Sequence, residues 1–141
     1  MSTDDRKRLG VRLLTPEGSV YEGQAVLVVA PSQSGEIGLM PRHEPLVCAL
    51  RPGETRLRML DDTVESFATA EGYLSIDEDV VTILVEQAEH AEVIDAHRAQ
   101  EALRRAEEAL AAAGDDENAR LVAESARRRA QNRLKVVEGR R

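Results

Sequence analysis

Residues 35–47 read GEIGLMPRHEPLV, and His43 stands there beside Glu44 with Glu36 shortly before it. A histidine among carboxylates has the side chains of a general base. No nucleophile neighbours His43 in sequence, and no second catalytic signature appears elsewhere. The same stretch also reads as a rigid turn that presents polar tips to a partner. Gly35 and Gly38 permit tight turns, and Pro41 and Pro45 stiffen the backbone at little ordering cost. His90 and His97 are not arranged for metal binding and read as surface residues of a polar helical region. Cys48 is the single cysteine, which excludes an internal disulfide and a cysteine metal cluster. It lies in an apolar run and is expected to be a small buried residue. No G-x-x-x-x-G-K-[ST] phosphate loop occurs in the chain.

The elements that must position these groups follow from composition and pattern. The chain has 141 residues, of which 42% are apolar and only 2% aromatic, so its core must be aliphatic. Stacking platforms for sugars or nucleobases are poorly supplied. A formal net charge of −7 argues against a nucleic-acid binder. The charge is unevenly placed: residues 1–90 hold 8 basic and 16 acidic side chains, leaving 11 and 10 for residues 91–141. Such asymmetry points to two units. No run approaches the ~20 apolar residues of a membrane span. The first residues, MSTDDRKR, lack an apolar signal core. A soluble protein of a reducing compartment is expected.

Residues 1–90 show about eight short apolar runs with turn signals every ~8–12 residues, the pattern of an all-β sandwich or barrel. Thr15-Pro-Glu-Gly18, Arg51-Pro-Gly53 and Asp61-Asp62 are among the turns. The run QAVLVVA, residues 24–30, is expected to stop at Pro31. The pattern changes near Ala88, where alanine, glutamate and arginine take over. Ala99, Leu103, Ala106, Leu110 and Ala113 recur at helical spacing, with Asp95 as a cap and Gly114 just past the end. A second helix shows Val122, Ala126, Ala130, Leu134 and Val137 on one face. The short loop between them makes an antiparallel two-helix hairpin. The expected class is therefore α+β: an N-terminal all-β flattened sandwich over residues 1–90 and a helical hairpin over 91–141. The alanine seam is thin, because an alanine methyl contributes far less than the ~1.5–3 kcal/mol of a buried leucine.

Five segments together resemble one family. LLTPEGSVYEG (13–23), GEIGLMPRHEPLV (35–47), LRPGETRLR (50–58), AEHAEVIDAHRA (88–99) and RRRAQNRLKV (127–136) are similar, in order and spacing, to the epsilon subunit of the F-type rotary ATP synthase. The likeness spans about residues 10–138. It implies a ten-stranded sandwich and a two-helix hairpin in the rotor's central stalk. The partners it implies are the gamma subunit, the ring of c subunits and, for an extended hairpin, the catalytic alpha/beta hexamer. It implies no catalysis by the chain itself, but coupling of rotation and restraint of ATP hydrolysis. With no transit segment before the first strand, the cytoplasmic face of a bacterial plasma membrane is the expected location.

The resemblance also assigns residues. Glu36 and His43 fall where the family contacts the c ring. Where the family usually reads Pro-Gly-His-Ala-Pro, this chain places Arg42 and Glu44, both charged. Some bacterial members bind one ATP through an Ile-Asp-x-x-Arg-Ala motif and further arginines. Glu89, Asp95, Arg98 and Arg105 match by position on the first side, and Arg129 and Arg133 on the second. ATP would be a regulatory ligand, not a required cofactor, and no metal is implied. The seven- and four-residue spacings put each arginine pair on one helix face, where guanidinium groups could meet a triphosphate. An arginine- and glutamate-rich surface is also what a solvated helix face looks like. Arg127, Arg128 and Arg129 could instead serve acidic surfaces of the hexamer. The rival reading is a free-standing nucleotide- or protein-binding sandwich outside any synthase.

Overall fold

A computed structural model describes residues 8–139. These divide after His90 into two compact units. The first holds strands β1 (Leu9–Thr15), β2 (Gly18–Ala25), β3 (Leu27–Ser32), β4 (Gly35–Leu39), β5 (Leu46–Leu50), β6 (Gly53–Arg58), β7 (Val64–Thr69), β8 (Gly72–Asp77), β9 (Val80–Val85) and β10 (Ala88–His90). The second holds a 3-10 turn at Ala91–Val93 and helices α1 (Ala96–Ala112) and α2 (Glu117–Glu138).

The strands run in the order β10-β7-β6-β3-β5-β8-β9-β1-β2, with β4 paired to β3. The path nearly parts at its centre, where β3 and β5 share the single pair Ser32–Leu50. The joint is steadied by the Gln33 N–H donating to the Ala49 carbonyl at 3.0 Å and the Arg51 N–H donating to the Pro31 carbonyl at 2.9 Å. There the sheet folds into two halves whose inner sides share one core. Val28, Leu57 and Phe67 come from one half, and Leu9, Leu13, Leu74, Ile76 and Ile83 from the other, all essentially inaccessible. Period-two alternation puts them inside: Leu9, Val11 and Leu13 are buried on β1, and Val81, Ile83 and Val85 on β9. The pairing is antiparallel except for β1 beside β9, which is parallel. The buried hydroxyls of Thr55 and Thr69 satisfy each other at 2.9 Å.

Ten strands agree with the family resemblance, whereas residue patterning alone predicts about eight. The 24–30 run divides, because Ala25 ends β2 and Leu27 begins β3. Pro31 does not stop β3 but lies inside it, opposite Glu36. A proline is tolerated there because it falls in the gap where β6 stops pairing with β3 at Val29 and β5 takes over at Ser32, and its carbonyl still accepts from the Arg51 N–H. The region near Ala88 is not yet helical: Ala88–His90 pair with Thr69, Ala68 and Phe67 of β7. His90 is therefore not a solvated helix residue. It is half-buried, meets the Phe67 ring edge-on at 4.9 Å and pairs with Glu65. His97 is exposed on α1.

Both helices begin as their sequences indicate. Asp95 caps α1, its carboxylate accepting from the Arg98 N–H at 3.2 Å, and Asp116 caps α2 through the Ala119 N–H at 3.1 Å. Gly114 takes a positive φ of 57° in the connection. Ala99 and Ala106 are buried on α1, and Ala123, Ala130 and Val136 on α2. The face of α2 is rotated from the expected one: Val122 is 70% exposed and its neighbour Ala123 is buried.

Gly72 opens β8 where the backbone of β9 leaves no room. A Cβ there would lie 1.9 Å from the Leu84 carbonyl oxygen and 2.7 Å from the Val85 Cα, both parts of a paired strand. Gly72→Ala is expected to lower stability by at least the upper end of the ~1–3 kcal/mol typical of overpacking. Urea unfolding with an unchanged slope would show it as a lower midpoint.

Candidate functional site

The loop between β4 and β5 carries His43. Its Nδ1–H donates to the Glu44 carbonyl at 2.7 Å, which holds the half-buried ring against its own turn. Glu36 lies earlier, on β4, and is not a free tip. Arg56 of β6 donates to both its carboxylate oxygens, at 3.1 and 3.4 Å, and to Glu54 at 3.3 Å. The hydrogen bonds to Glu36, with its charge, hold the Arg56 guanidinium above its usual range. Gly35 has a positive φ of 128° in the β3–β4 turn, whereas Gly38 sits within β4 opposite Val29 and makes no turn. Thus the structure separates Glu36, at one end of β4, from His43, beyond its other end.

A second surface is built from residues that individually carry no local signal of a site. On the outer side of the β5-β8-β9-β1 half, Ala49 stands opposite Tyr73, Tyr73 opposite Leu84, and Leu84 opposite Leu14. Four strands thereby contribute one apolar row. Tyr73 is 63% exposed, Leu84 52% and nearby Val47 72%. Leu14, Ala49, Tyr73 and Leu84 line an open groove of about 540 Å³ with Pro16, Gln33 and Glu71. Soluble proteins seldom expose contiguous apolar surface without a partner for it. The sequence signal is β9 itself: VVTILV is apolar on both faces, and an alternating strand would not be. Cys48, between Val47 and Ala49, is half-buried, and burial raises its thiol pKa.

The six residues matched to an ATP site are divided. Glu89 lies on β10 opposite Ala68, in the sandwich. Asp95, Arg98 and Arg105 belong to the first helix region and Arg129 and Arg133 to α2. Asp95 is engaged as the cap of α1. Arg98 and Arg105 each precede a buried alanine, Ala99 and Ala106, and Arg129 precedes buried Ala130. In an antiparallel pair, positions just before the seam fall on the same flank of both helices. The connection at residues 113–116 sets Arg98 level with the 129–133 turn, and Arg105 farther along toward the connection. Arg129 donates to the Ser125 hydroxyl at 2.8 Å. Arg104 is different: it is neutralised on the surface by Glu101 at 2.6 Å and Glu108 at 3.2 Å. Among the described residues, no group of histidine, cysteine or carboxylates could hold a metal.

Fold and surfaces together define a two-part protein, a sandwich with a solvent-exposed apolar row followed in the chain by an arginine-bearing hairpin. Residues 8–91 match the family described as "ATP synthase, Delta/Epsilon chain, beta-sandwich domain", and residues 92–138 match its "long alpha-helix domain". The chain is 35% identical over 135 residues to the ATP synthase epsilon chain of Ligilactobacillus salivarius, covering 94% of this chain and 97% of that one. It is 42% identical over 131 residues to the epsilon chain of Bacillus velezensis, covering 93% and 98%. Its fold is similar to that of a chain in the Euglena gracilis mitochondrial ATP synthase structure, with a TM-score of 0.78 at 20% identity over 89% of this chain and 78% of that one. The chain belongs to the ATP synthase delta/epsilon family, as an epsilon-type, non-catalytic subunit of the synthase. Among the described residues, no helix is long and apolar enough to cross a membrane.

The Arg104 cluster has a pH signature. Arg104, by hydrogen bond and charge, lowers the Glu101 pKa. A lowered folded-state value means that the contribution to helix stability is present above the ordinary glutamate range, about 4.3, and is lost as pH falls through the lowered value. Carboxyl NMR is expected to show Glu101 titrating below ordinary glutamates, and Arg104→Ala to return it toward them.

Proposed function

We propose that the chain works in the central stalk of a bacterial proton-translocating synthase, at the cytoplasmic face of the plasma membrane. Its sandwich binds the gamma subunit through the Ala49-Tyr73-Leu84-Leu14 row. The observation that carries this reading is that row, apolar across four strands and open to solvent. A tyrosine flanked by aliphatic groups beside a groove is the make-up of an interface anchor. The loop bearing His43, with Glu36, contacts the c ring, a role supported by the family resemblance. The hairpin restrains ATP hydrolysis by reaching the alpha/beta hexamer when it extends, and its thin alanine seam supports a change of state.

Tyr73→Asp and Leu84→Glu alter exposed side chains, so the fold is expected to persist. Each is expected to weaken gamma binding by about 30-fold or more, the effect of losing an interface anchor worth ~2 kcal/mol. Titration of full-length chain into gamma would measure it. A parent chain that stays monodisperse and ignores gamma would favour a free-standing module.

ATP is the regulatory ligand in this reading, held by the shared flank of Arg98, Arg129 and Arg133 with Arg105 beyond. Calorimetric titration of the full chain with millimolar ATP is expected to give heat that Arg98→Ala or Arg129→Ala abolishes. No heat from the parent would remove the nucleotide role and leave the stalk role intact.

A further inference from the structure

Arg42 occupies a backbone position that suits glycine. Its φ is 71°, directly after Pro41. Proline followed by a left-handed residue is the order of a type II turn, whose second central position is ordinarily glycine. A Cβ at that φ is disfavoured. The peptide is nevertheless held, because the Arg42 N–H donates to the Asp79 carboxylate at 2.6 Å. Asp79 is itself anchored. It lies in the two-residue connection between β8 and β9, where Asp77 faces Val80 and both Glu78 and Asp79 have positive φ, 49° and 63°. Its carbonyl accepts from the Gly10 N–H at 2.8 Å. Two unfavourable turns are thus locked to each other and to β1.

A glycine at residue 42 would remove the cost, yet the chain retains a long cation there. The Arg42 guanidinium has no ion pair or side-chain hydrogen bond among the described residues. It is exposed, as is Glu44. Local strain that the surrounding structure maintains is a mark of functional positions. We propose that Arg42 is a specificity-determining residue of the rotor contact, recognising a carboxylate on a protein loop of the c ring, and that Asp79 is its positioning residue. This rests on the reading of the His43 loop as the c-ring contact. The surroundings favour a protein loop of mixed charge over a phospholipid surface. In the β4–β5 and β8–β9 connections, Asp77, Glu78, Asp79 and Glu44 outnumber Arg42, so these two loops repel an anionic membrane, while a protein loop bearing an acid and a base can satisfy both Arg42 and Glu44.

The test is binding of the full-length chain, with gamma, to purified c ring at low and moderate salt. Arg42→Gly is expected to weaken binding about tenfold at low salt and to flatten the salt dependence, as loss of a charged contact does. It should also raise the unfolding midpoint, because the turn is relaxed. Arg42→Lys should recover part of the affinity. Asp79→Gly keeps the left-handed turn but removes the acceptor, and it should weaken binding in the parent and have little further effect beside Arg42→Gly. Unchanged affinity and salt dependence in Arg42→Gly, with the parent binding normally, would overturn this inference alone. A parent that does not bind the ring would remove the docking reading and this inference together. Arginine-dependent binding to phosphatidylglycerol vesicles would overturn it in favour of lipid.

Discussion

The organising constraint is that one half of the sandwich carries an apolar row on its outer side as well as an apolar inner side. On β9, Val81, Ile83 and Val85 enter the core while Val80 and Leu84 face outward. The inward set is satisfied by the opposite half, at ~25 cal/mol for each Å² of apolar area removed from water. The outward set has no such layer within its own unit. Because register locks Leu84 between Tyr73 and Leu14, the unsatisfied groups cannot scatter; they form a row. The core that stabilises the fold and the surface that calls for a partner come from the same short strand.

The helical unit depends on different physics. Its buried positions are mainly alanines, which let two helices approach closely but remove little area from water. Each helix is secured locally instead, by Asp95 or Asp116 at its start and by strong helix formers along its length. The helices therefore hold their secondary structure by local means, with only a thin apolar seam between them. The arginines on the shared flank add to this, since like charges on neighbouring helices are tolerated best when an anion lies between them.

Much of this was legible in the sequence. Alternation, turn residues and the switch to helical spacing located most strands and both helices, and Asp95 and Gly114 marked helix ends through their backbone chemistry. What escaped depended on distant partners. Ala88–His90 have no strand pattern of their own and are recruited by β7 through three residue pairs. Pro31 reads locally as a stop, and only the change of partner strand from β6 to β5 beside it makes the position tolerable. On α2 the sequence pattern points to Val122 because valine outweighs alanine in any hydrophobic reading, yet close helix packing selects the smaller Ala123. For the sites, residue types identified Glu36 and His43, but not that Arg56, on another strand, claims Glu36. Nor could spacing reveal the Tyr73–Leu84 row, which exists only through strand register.

The two outer faces of the sandwich show how one core can support opposite surface chemistries. On β6, Thr55 and Leu57 point inward and Arg56 stands outside, joining Glu36 of β4 to Glu54. Half-exposed ion pairs of this kind contribute at most ~1 kcal/mol, so their value to stability is slight. Their effect is instead on what the face can bind: charges that already satisfy one another present little apolar area and little free charge. The other face, without such pairs along its row, has desolvation energy still to gain. Per unit of area covered, the apolar row therefore has more desolvation energy to gain from association than the self-paired charges around Arg56.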